Sequence, residues 1–112
     1  LVLLAPASVW FQADGALNAV DIPIFMLVGE KDQYTPSFHA QSILNGIPDH
    51  EKVQHRIVEI AGHFSFLSPF PEAMTNASFP PSPDPLGFNR ESFQHERNEE
   101  ITRFFVAQHI KR

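Results

Sequence analysis

The sequence contains no cysteine, which removes disulfides, zinc–thiolate sites and a cysteine nucleophile at once. It leaves the compartment open. There is no Lys/Arg cluster either. The formal charge is −5, against 8 Lys+Arg and 13 Asp+Glu, so no basic footprint for a phosphate backbone or an anionic membrane is present. No apolar run approaches the roughly 18–20 residues of a membrane span. The opening "LVLLAP" lacks the basic segment and initiator Met of a signal peptide. We therefore expect the chain to begin inside a fold. No repeat is visible, and a proline-rich loop is the one compositionally biased segment.

What remains is a chain of 112 residues, 43% hydrophobic and with 11 Phe. That is enough for one small domain with a modest core, and too apolar for a disordered tail. "LVLLAP" and "IPIFMLVGE" (residues 22–30) are nearly unbroken apolar runs, the pattern of strands buried on both faces. Pro23 is acceptable at a strand's first residue. Asp14-Gly15 marks a turn between them. "TPSFHAQSILNGI" predicts a helix with Thr35 as N-cap and Pro36 at its first position. Phe38, Ile43 and Leu44 would form its apolar stripe, and Asn45-Gly46 would stop it. "QHRIVEIAG" (residues 54–62) predicts a third strand. The order strand, connection, strand, helix, strand predicts an α/β fold with a parallel sheet.

From Pro69 to Pro85 six prolines interrupt the chain, so residues 69–88 are expected as a long irregular loop. "RESFQHERNEEITRFFVAQHIKR" then predicts a C-terminal helix. Phe93, Ile101, Phe104, Phe105 and Ile110 would form its apolar side. Lys111 and Arg112 would complement the dipole at its end.

Ligands of open parallel sheets bind beyond the carboxyl ends of the strands. The second strand runs into Gly29-Glu30-Lys31-Asp32, the third into Ala61-Gly62-His63. If the strands are neighbours, Asp32 and His63 emerge on one edge. A carboxylate there would accept a hydrogen bond from Nδ1–H of the imidazole and leave the other nitrogen as a base. Glu30 is the alternative acid. Ser65 lies two residues from His63, but lacks the flanking glycines and strand–turn–helix context of a nucleophile elbow. Its plainer reading is a hydroxyl bonded to loop backbone. Phe64, Phe66 and Leu67 are expected to pack the turn against the core, or else to line an acyl pocket. His50, His55 and His63 are close in sequence, and His39, His95 and His109 lie further off. None makes an H-x-x-x-H or H-E-x-x-H pattern, so no metal and no other cofactor is expected. Asn76-Ala77-Ser78 matches a glycosylation sequon, a pattern common by chance.

"IPIFMLVGEKDQYTP" and "IAGHFSFL" resemble the acid-loop and histidine-loop motifs of the α/β-hydrolase superfamily. "HFSFL" and "GFNRESFQHERNEEITRFF" resemble its predicted dienelactone hydrolase branch, related to bacterial relatives of platelet-activating-factor acetylhydrolases. The resemblance covers most of the chain, and the joint order and spacing of the two motifs are its strongest signal. It implies that residues 1–112 are the C-terminal segment of one α/β-hydrolase domain, with about three strands of a mostly parallel sheet, flanking helices and a C-terminal helix. It implies Asp32 as acid, His63 as base, and a small ester or related acyl substrate. Such families order the triad as nucleophile, acid, base. No G-x-S-x-G occurs in these 112 residues, so the resemblance places the serine and the oxyanion donors upstream and implies an inactive isolated chain. The alternative from another class is a non-catalytic binding module on the same fold.

Overall fold

The computed structural model describes residues 1–110. Three strands, β1 (Val2–Leu4), β2 (Ile24–Gly29) and β3 (Val53–Val58), form a parallel sheet in the order β1-β2-β3. Two helices, α1 (Phe38–Gly46) and α2 (Arg90–Ile110), cover it. This is a small α/β fold, as the alternation of apolar runs and helical patterns predicts.

The central strand organises the packing. All six residues of β2 are buried, because both faces of the sheet are covered. Side chains alternate across a strand. Ile24, Met26 and Val28 therefore meet Ala40, Ile43 and Ile47 on the α1 side. Phe25 and Leu27 meet Val58, Phe66, Phe93 and Phe104 on the α2 side, where Phe25 stacks on Phe104 at 5.7 Å. Each fully buried Met or Leu here contributes roughly 1.5–3 kcal/mol relative to exposure. Arg56 extends from β3 to Glu96 (3.5 Å) and Glu100 (2.6 Å) of α2.

Several boundaries differ from the sequence expectation. β1 stops at Leu4, where Ala5 takes a left-handed backbone angle (φ 51°), and as an edge strand it is only half-buried. β3 ends at Val58, not at residue 62, because Ile60 turns the chain (φ 67°). Helix α1 starts two residues after Pro36, with Ser37 as its N-cap. Thr35 does not cap it, because its hydroxyl is engaged elsewhere, as described below. The buried face of α1 is His39, Ala40 and Ile43, while Phe38 is exposed and stacks on His39. On α2 the buried set is Arg90, Phe93, Arg97 and Phe104. Phe105 and Ile110 are exposed, and two arginines occupy that face instead, each satisfied by a loop partner. Lys111 and Arg112 lie outside the described residues. The segment 69–88 is irregular apart from one 3-10 turn, Glu72–Met74.

The Asp32–His63 site

Register sets the site. Gly29 lies opposite Val58, so both strands deliver their following turns to the same edge of the sheet. Two backbone bonds join the turns, Glu30 N to Val58 O (2.9 Å) and Lys31 N to Ala61 O (2.8 Å). Gly29 makes this approach possible. A Cβ there would sit 2.5 Å from Ala61 O and 3.0 Å from Gly62 O.

The turn after β2 folds around the Asp32 carboxylate, since a short acidic side chain readily binds backbone two and three residues on. Oδ1 accepts the amide hydrogens of Tyr34 (2.9 Å) and Thr35 (2.7 Å). Oδ2 accepts the Thr35 hydroxyl (2.9 Å) and lies 2.8 Å from His63 Nδ1. The Asp32 side chain has no exposed surface, whereas that of His63 is 24% exposed. A buried carboxylate needs such partners. Burial alone would push its pKa up. The Thr35 amide, the His63 ring and the Thr35 hydroxyl outweigh burial, and Asp32 is held below its usual 3.8.

A depressed folded-state pKa gives stability that is fully present above the ordinary carboxylate value and lost as pH falls through the folded one. The urea midpoint of the wild-type chain should therefore fall on acidification from about pH 4 to about pH 2 more steeply than that of Asp32→Asn. Equal slopes would show that Asp32 is not held in this state.

The Thr35 hydroxyl also lies 3.0 Å from His63 Nδ1 and 3.3 Å from Ala5 O. Its single proton goes to the carboxylate, the closer and charged acceptor. Nδ1 then faces two acceptors, a carboxylate oxygen and a hydroxyl lone pair. This assigns the neutral imidazole proton to Nδ1 and leaves the lone pair on Nε2. Nε2 has no hydrogen-bond partner among the described residues. An open pocket beside the ring is lined by Lys31, Gln33, Tyr34, Gly62, His63 and Pro85. Tyr34 and Phe64 flank the imidazole, with ring centres 5.3 and 5.0 Å away.

His63 opens a 3-10 turn, His63–Phe66. Phe66 anchors it in the core against Phe93, while Leu67 is exposed. Phe66 O accepts from Arg97 of α2, whose guanidinium burial pulls below its ordinary value. The Ser65 hydroxyl accepts the Gly62 amide (2.9 Å) and donates to Asp84 (2.7 Å). It is thus a backbone-bonding hydroxyl, as the plainer reading has it. Glu30 accepts from the Ile60 amide at 3.0 Å, which occupies the alternative acid in holding the turn after β3.

The geometry thus brings Asp32 and His63 together and adds three groups the sequence reading passed over. Thr35 reads as a helix cap, and Asp84 and Arg90 lie far from His63 in sequence. A separate buried pair, Ser8 and His39, joins the segment after β1 to α1. His39 Nδ1 accepts the Ser8 amide at 3.0 Å with the Ser8 hydroxyl 3.3 Å away. Ser8 has no exposed surface, and the one lone pair of Nδ1 is used by an amide, so this pair holds structure together. Among the described residues no group of three or more His, Asp or Glu is placed to hold a metal ion. No described helix is long and apolar enough to cross a membrane. Compared with known proteins, the chain matches no family model, no curated protein and no solved structure.

Proposed function

We propose that Asp32 and His63 are the acid and base of a Ser-Asp-His triad in a serine hydrolase of the α/β-hydrolase class, resembling its predicted dienelactone hydrolase branch. Its substrates would be carboxylic esters or related acyl compounds. One observation carries the reading: at the carboxyl ends of adjacent parallel strands, a fully buried carboxylate lies 2.8 Å from Nδ1 of a partly exposed imidazole.

In this reading the nucleophilic serine is supplied from outside these 112 residues. His63 Nε2 takes the serine proton as the hydroxyl attacks the acyl carbon. It passes that proton to the leaving group, then activates water for deacylation. Asp32 keeps Nδ1 protonated and stabilises the imidazolium without taking its proton. Thr35 shares the carboxylate and fixes its plane. The histidine turn needs rigid backing, and Phe66 and Arg97 provide it.

A fluorophosphonate, which labels serines activated by a neighbouring base, tests the proposal on the intact polypeptide. One labelled serine is expected, with labelling reduced at least about a hundredfold in His63→Ala. A folded protein with no labelled serine would sink the triad and favour the binding module.

A further inference from the structure

The turn that carries His63 is fastened from behind by charge. Ser65 is 1% exposed, and its hydroxyl links the Gly62 amide to Asp84 Oδ1. Asp84 receives Arg90 Nε at 3.0 Å on Oδ2 and Arg90 Nη2 at 2.9 Å on Oδ1. Arg90, the first residue of α2, is 5% exposed, and its Nη1 donates to Pro81 O at 2.9 Å. A continuous path of bonds therefore runs from the turn after β3, through the proline-rich segment, to the start of α2. Pro85 lies over Gly62, where a Cβ would meet its ring carbons at 3.4 Å. It also walls the His63 pocket.

A buried ion pair is poor at adding net stability compared with apolar groups of the same volume. Removing either partner is costly, because it leaves the other charge unpaired. Through Ser65 this pair is bonded to the Gly62–Ser65 turn, and His63 is inside that turn.

We infer that Asp84, acting through Ser65 and held by Arg90, is a positioning residue for His63. The proline-rich segment is then a working part of the site: displacing it releases the base from its acid while the sheet stays folded. The inference rests on the reading of Asp32 and His63 as acid and base.

The test uses the full chain labelled with 15N and needs no substrate, so it is independent of whether a serine is labelled by the phosphonate. The ring nitrogen shifts of His63 report its tautomer, and urea unfolding reports global stability. The wild-type ring is expected in the Nδ1–H form. In Ser65→Ala and Asp84→Ala the Nδ1–H form should become the minority while the β2 amide signals persist, and the double variant should lose no more than either single one. A wild-type tautomer in folded Asp84→Ala would overturn the inference, since a clamp that is only structural lowers the urea midpoint and leaves the ring alone. If both variants unfold, hydrogen exchange in the wild-type chain decides. The Gly62 amide and Arg90 Nε–H should open in one step below global unfolding. Opening in separate steps, or only with global unfolding, would overturn it.

Discussion

Replacing His63 with alanine in the intact polypeptide is expected to lower kcat for an activated ester by about 10,000-fold, with KM changed little. A general base acts on the transition state, so loss of one appears in kcat and kcat/KM together. Asp32→Asn should lose about 1,000- to 10,000-fold, because an amide can present its NH2 to Nδ1 and favour the wrong tautomer. Glu30→Gln is the internal control. That carboxylate accepts one backbone amide, which an amide oxygen can also do, so activity should stay within about threefold of wild type. A Glu30→Gln loss larger than that of Asp32→Asn would transfer the acid role to Glu30. Wild-type turnover in His63→Ala would remove the base altogether.

The second large effect concerns Gly29. Gly29→Ala is expected to destabilise the chain by about 3 kcal/mol, from overpacking together with loss of a buried hydrogen bond. The added methyl would meet Ala61 O at 2.5 Å and Ala61 C at 3.0 Å, and backbone atoms cannot rotate aside. Separating the two turns would also break the bond from Lys31 N to Ala61 O. Gly46→Ala makes the instructive contrast. There the close atom is Leu17 Cδ1 at 2.9 Å, the far end of a flexible side chain. Alanine also suits a helix better than glycine, so the change should fall within about 0.5 kcal/mol of wild type. Urea unfolding of the two variants reads both values. A Gly29→Ala midpoint equal to wild type would show that the two turns are not held in contact.

β2 was legible because burial on both faces leaves a plain mark, an unbroken apolar run. Asp32 and His63 were legible as a pair because each follows a strand end, and parallel neighbours must bring those ends together. Thr35 was not. Locally, a threonine before proline is a good helix cap, but a buried carboxylate and an imidazole compete for the same hydroxyl and win it. The burial of Arg90 and Arg97 was not legible for a related reason. A charged residue on a helix defaults to solvent, and it moves inward only when partners wait there. Those partners, Asp84 and Phe66 O, come from loops whose paths no periodicity encodes.

The pairing of β2 with β3 also works as a ruler. Asp32 lies three residues past Gly29 and His63 five past Val58, and Gly29 is paired with Val58. A slip of one residue would turn every β3 side chain to the wrong face. A slip of two would keep each side chain on its own face, and so would pass the test of hydrophobic pattern. It would nevertheless carry His63 roughly 6.6 Å along the strand direction, beyond reach of the carboxylate. Parity belongs to the core, but absolute alignment must be read elsewhere. In the observed alignment Gly29 comes against the Ala61 backbone, where an added Cβ would lie 2.5 Å from Ala61 O.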